Sequence, residues 1–231
     1  MNSLSISPLL ALLMLLPASA FPQEAQDILA KVAANYQAMK NFHFEGSTTS
    51  ETKAKGVDTT SETHFVVAYT EPDKFRVELR YPTAGNWIRL SDGKNLYDFR
   101  TTSKDRKKED YDPSDLRILK GSPISAFEFI DRVNSARLAG SESVTVDGKD
   151  VDCYVIEAER SGQTLLPGMK ALPTRYWVDK ARLIVLRQVS GSRSEDSASV
   201  NSTENTRTIT ITAAHVNEPV PATLFAVNPG R

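Results

Sequence analysis

The feature that most constrains this chain is a period of two. Phe75, Val77 and Leu79 alternate with Lys74, Arg76, Glu78 and Arg80. One side of such a segment is apolar and the other charged, the pattern of a half-buried antiparallel strand. The same period recurs where Phe42 and Phe44 alternate with Asn41 and His43, and where Phe65, Val67 and Tyr69 alternate with His64, Val66 and Ala68. Glu71-Pro72-Asp73 reads as a turn between two strands. Trp87–Leu90 and Leu96–Phe99 flank Ser91-Asp92-Gly93-Lys94. Asp-Gly between apolar runs signals a hairpin, because the turn needs positive φ. A second such turn, Asp147-Gly148, joins Ser143–Val146 to Val151–Ala158. Arg175–Asp179, Leu183–Val189, Thr206–Ala214 and Leu224–Val227 complete the predicted strands.

Two segments keep a helical period instead. In 23–39, Ile28, Val32, Tyr36 and Met39 form a stripe with Leu29 and Ala33 beside it, and Asn41 is the stop. Ser122-Pro123 reads as the cap of a second helix, with Ile124, Phe127, Ile130 and Val133 on one side to about Arg137. Residues 101–112 are polar and read as a solvated hairpin or loop, or a docking patch. Residues 161–173 read as a connection, and the Ser-rich 190–205 as a loop or long hairpin tip. The expected class is α+β, built on a strongly curved antiparallel sheet of about ten or eleven strands, since so many strands curl rather than stay flat.

Composition narrows the chemistry. The chain has 231 residues, 40% of them apolar, which suits a globular domain. Its net charge of −1 gives no drive toward nucleic acid. One cysteine, Cys153, excludes a disulfide framework within the chain, and three histidines leave little for a metal centre. Residues 1–20 carry no charged side chain; the apolar run Pro8–Pro17 is about ten residues long, half of what a membrane span needs, and Ala18-Ser19-Ala20 follows it. That segment reads as a cleaved secretory signal, with 21–231 as a single domain. Nothing after Phe21 is long and apolar enough to span a bilayer as a helix.

No phosphate loop, nucleophile elbow or metal-spaced histidine pair is present in the sequence. His43, His64 and His215 read as surface or rim residues, and Cys153 as a packed thiol inside a strand. Asp92, Asp147 and Asp179 are explained by turns. Asn201-Ser202-Thr203 fits a glycosylation acceptor or an ordinary loop. The expectation is a protein without enzymatic activity and without a cofactor. What stands out is apolar placement on both faces of strands, as where Val66 and Ala68 oppose Phe65, Val67 and Tyr69. The second face is covered by helices, or it helps enclose a ligand cavity; alternation does not choose between them.

Several motifs, in order along most of the chain, carry a family resemblance. They are Asn41-Phe42-His43-Phe44-Glu45-Gly46 after the first helix, Glu71-Pro72-Asp73-Lys74-Phe75-Arg76-Val77-Glu78, the Trp87–Phe99 hairpin, Tyr176-Trp177-Val178-Asp179 with Leu183–Arg187, and Leu224–Gly230. Together they resemble the periplasmic lipoprotein-carrier family (LolA-like, within the LolA/LolB/RseB-type superfamily). The resemblance implies an incomplete barrel whose open side is covered by helices. It implies an apolar cavity for the acyl chains of lipoproteins or another hydrophobic ligand, and a role in sorting lipoproteins to the outer membrane from the periplasm. Inner- and outer-membrane lipoprotein-transport proteins are the implied partners. An alternative within the same superfamily is an RseB-like sensing module that binds lipid and a membrane-anchored partner. The expected cavity lining is Phe65, Val67, Phe75, Val77, Trp87, Leu96, Phe127, Trp177 and Ile209. Where the family carries a basic residue just before the strand proline, implicated in holding the helical lid, this chain has Glu71.

Overall fold

The structure is a computed structural model that describes residues 22–116, 119, 133–160, 165, 167–194 and 202–227. The expected signal segment therefore lies outside the described residues. Helix α1 spans Pro22–Ala38. Its stripe is buried as the period requires, with Ala25, Ile28, Leu29 and Val32 all in the core. Eleven strands follow: β1 Asn41–Ala54, β2 Val57–Thr70, β3 Lys74–Tyr81, β4 Gly85–Asp92, β5 Asn95–Arg100, β6 Arg106–Asp110, β7 Val133–Val146, β8 Lys149–Arg160, β9 Met169–Asp179, β10 Val185–Ser194 and β11 Thr203–Val216.

They form one antiparallel sheet in the order β6-β5-β4-β3-β2-β1-β11-β10-β9-β8-β7. Two meanders, β1–β6 and β7–β11, meet where β1 pairs with β11 from Phe42–Val216 to Ala54–Thr203. The sheet is open, with β6 and β7 as its edges, and it curls. The Asp147 N–H, in the β7–β8 turn, donates to the Thr212 carbonyl of β11 at 2.9 Å, although three strands lie between β7 and β11 in the sheet order.

The Asp-Gly turn forms for the expected reason. Gly93 sits at φ 93°, and Asp92 Oδ1 accepts from the N–H groups of Lys94 and Asn95 at 2.9 and 2.8 Å. Glu71–Pro72 is a cis peptide in the β2–β3 turn.

Several expectations need correction. The β1–β2 and β10–β11 arms run well past the apolar residues that announced them. Their outer parts, such as Ser50–Lys53 with Asp58–Ser61, are polar and exposed, so the pairing there rests on backbone hydrogen bonds. Residues 190–194 and 203–205 are strand rather than loop, and Met169–Pro173 opens β9 rather than ending a connection. Residues 106–110 form an edge strand paired with β5, in keeping with the hairpin reading of 101–112. Val133–Arg137, expected at the end of a second helix, begins β7; Ile124, Phe127 and Ile130 lie outside the described residues. Leu224–Val227 is not a strand: Ala222–Phe225 forms a 3-10 turn that buries Phe225.

Candidate functional site

Register sorts the side chains onto two faces. Val67 pairs with Phe44 and Val77, Phe65 with Leu79, and Leu79 with Trp87; Ser91, on the same face of β4 as Trp87, pairs with Phe75 and Leu96. Directly opposed residues share a face. Across the seam, Thr48 pairs with Ile209, Ile209 with Gln188, Gln188 with Tyr176, and Tyr176 with Ile156. Seven of the expected lining residues, Phe65, Val67, Phe75, Val77, Trp87, Leu96 and Ile209, therefore share one face. Six of them are 3% exposed or less, and Trp87 is half-buried. Helix α1 packs on this face at the β7 end of the sheet. It is tied down by the Asn35 side-chain amide, which donates to the Arg182 and Leu183 carbonyls, and by the Tyr36 hydroxyl, which accepts from the Val185 N–H at 3.0 Å.

Trp177 is placed elsewhere. It pairs with Arg187 and Val155, so it belongs to the opposite face. There its indole N–H donates to Glu142 at 2.7 Å, and the Arg187 guanidinium stacks 4.8 Å from its ring. The β9 residues on the helix-bearing face are Tyr176 and Val178, both fully buried. A run that is apolar on both faces, Tyr176-Trp177-Val178, cannot reveal its own orientation; only the pairing of Gln188 with Ile209 and Tyr176 does. Phe127 lies outside the described residues.

The opposite face explains the second set of apolar residues. On β2–β4 it carries Val66, Ala68, Ile88 and Leu90, all buried, around the buried carboxylate of Glu78. Glu78 accepts from Arg76 at 2.6 Å, and from Arg80 and Asn86 at 2.9 Å each. Arg76 also donates to the Leu224 carbonyl at 3.1 Å, which fastens the 3-10 turn and Phe225 against β3 and β4. Burial alone would raise the Glu78 pKa, but the Arg80 and Arg76 hydrogen bonds outweigh it and hold the carboxyl below its ordinary value. Among the described residues, the cover here includes the 3-10 turn Ala222–Phe225.

Five titratable groups gather beside the β1–β11 seam: His43 lies 3.2 Å from Glu45, and His215 lies 3.1 Å from Glu218 and 3.9 Å from Asp147. Cys153 is fully buried, and desolvation pushes its thiol up to about 11. His43 stacks on His215 at 5.8 Å, and desolvation lowers its pKa; His64 is exposed. Glu71 is exposed, and its N–H donates to the Lys40 carbonyl at 2.8 Å. A groove of about 520 Å³ lies beside α1, lined by Leu29, Ala30, Ala33, Ala34 and Val133 with Gln26 and Gln37 at its margin. No helix among the described residues is long and apolar enough to cross a membrane.

No family model and no curated protein matches the chain by sequence. Among solved structures, the chain is similar to LprF from Mycobacterium bovis at 12% identity and a TM-score of 0.47, over 90% of this chain and 98% of that one. It is similar to a LolA superfamily protein from Nitrosomonas europaea at 13% identity and a TM-score of 0.34, over 88% and 97%. It is also similar to a chain of the MucA/MucB complex of Pseudomonas aeruginosa at 12% identity and a TM-score of 0.44, over 88% of this chain but 61% of that one.

Proposed function

We propose that this protein is a periplasmic carrier that binds lipid-modified proteins or another hydrophobic ligand on the helix-bearing face of its sheet, in the sorting of lipoproteins to the outer membrane. One observation carries the reading: Phe65, Val67, Phe75, Val77, Trp87, Leu96 and Ile209 share one face, which spans β2–β5 and crosses the seam to β11. Helix α1 makes most of its sheet contacts with β7, and its Ala25, Ile28, Leu29 and Val32 join Phe65, Val67, Val77 and Ile209 in one buried cluster. The apolar groove beside α1 is the open volume next to the same face. A lipid anchor loses about 0.8 kcal/mol for each CH₂ exposed to water, so a wall of this kind suits its transport between membranes. Apart from the half-buried Trp87, the wall residues are closed to solvent here, so uptake requires the face to open. The reading assigns binding and no catalysis.

Mass spectrometry of the protein purified from its native periplasm is the test. The expected result is co-purified lipid or acylated protein. Delipidated protein that neither regains lipid nor raises the fluorescence of an apolar dye would sink the reading. Recovery of one membrane-anchored protein in place of many lipoproteins would favour the sensing module instead.

A further inference from the structure

On β11 and its two neighbouring strands, the helix-bearing face is apolar toward the base of the sheet and polar toward the hairpin tips, and Arg207 lies on the boundary. On β11 its residues run Ile211, Ile209, Arg207 and Asn205. Arg207 pairs directly with Ser50 of β1 and Ser190 of β10. One step toward the base, Thr48 and Gln188 flank Ile209 on those two strands. Arg207 is exposed, and partial desolvation by its neighbours pushes its pKa down. Gln188 is 4% exposed. Among the described residues, Gln188 Oε1 and Thr48 Oγ1 are buried without a hydrogen-bond partner, as is Thr174 Oγ1 on the same face of β9. Buried polar groups left in this state are costly, so several of them beside a partly desolvated cation mark a place where a polar group is missing.

We propose that the ligand is an anionic amphiphile whose acidic head sits on Arg207, with its chain on the apolar part of the same face. This rests on the reading above that the face takes an apolar ligand. An anion supplies acceptors for the guanidinium and the Thr48 hydroxyl, and the Gln188 amide donates to it once rotated about its last bond. Toward the base, the face continues from Arg207 over Ile209 and Ile211 of β11 to Phe65 and Val67 of β2, part of the apolar wall described above.

The test uses delipidated mature protein loaded with a neutral apolar dye. Three competitors are compared: oleoyl lysophosphatidylglycerol, uncharged mono-oleoylglycerol and inorganic phosphate. At low salt the anionic lipid should displace the dye at about tenfold lower concentration than the neutral one, the value of one charge-assisted hydrogen bond. Arg207→Gln should abolish that preference and leave the neutral lipid unchanged, while Arg207→Lys should keep part of it. Added salt should shrink the preference. Equal potency of the two lipids, or an Arg207→Gln variant that weakens both alike, overturns the proposal. If inorganic phosphate removes the preference at the same concentration as the lipid, the site takes free phosphate and the amphiphile assignment is wrong. If neither lipid displaces the dye and the dye itself does not bind, the carrier reading fails, and this proposal with it.

Discussion

Glu78 shows how one residue holds two segments together. Its carboxylate is buried between two guanidinium groups, and one of these also grips the Leu224 carbonyl. Glu78→Ala leaves Arg76 half-sequestered without its counter-charge. The expected loss is about 2–3 kcal/mol by chemical denaturation, at or below the low end for a buried pair because Arg80 is largely solvated. The pH dependence follows from the lowered pKa. The contribution of Glu78 is present above the ordinary carboxyl value of 4.5 and is lost as pH falls through the lower folded value. Thermal midpoints measured from about pH 6 down to pH 3 should therefore fall more steeply for the wild type than for Glu78→Gln. Cys153 gives an opposite kind of residue-level prediction. Its thiol is fully buried and pushed up to about 11, so it should resist thiol reagents in the native protein at pH near 8 and react at once in denaturant.

Among the elements, β1 depends on a glycine for a steric reason. Gly46 lies at an irregularity in the β1–β11 register, where a Cβ would meet the Thr210 carbonyl oxygen and come within 2.7 Å of the Phe65 ring. Backbone cannot yield as a flexible side chain can. Gly46→Ala should cost about 2–3 kcal/mol, read as a shifted denaturation midpoint with the slope unchanged. The elements also show what could be read in advance. Strand β3 was legible because its two faces differ completely, apolar against charged, and the Asp92-Gly93 hairpin because its turn chemistry is specific. The outer arms of β1 and β2 were not, since residues such as Thr59 and Ser61 carry no apolar signal and pair through backbone hydrogen bonds alone. Leu224–Val227 looked like a strand because Leu224 and Phe225 are apolar, yet its cohesion comes from Arg76 and Glu78, distant in sequence. The wall residues on β2–β5 followed from alternation within each strand. Trp177 did not, because its orientation depends on a pairing that only the folded sheet defines.

For the whole molecule, the two tryptophans report on opposite sides of one sheet. Trp87 lies half-buried on the helix-bearing face, whereas Trp177 is packed against Glu142 and Arg187 on the other. Ligand uptake on the helix-bearing face should change tryptophan emission in the wild type and in Trp177→Phe, but hardly at all in Trp87→Phe. A change that survives in Trp87→Phe and vanishes in Trp177→Phe would move the binding site to the opposite face.

The central seam carries one further consequence, which concerns time rather than space. Strand β1 begins at Asn41 and β11 ends at Val216, yet the two pair side by side in the middle of the sheet. As the chain is synthesised, the first meander can form but its inner edge stays unpaired until the last strand has been made. Contacts of such long sequence separation are the slow ones in folding. The sheet therefore stays incomplete for nearly the whole of translation, and the native state becomes accessible only in the final step.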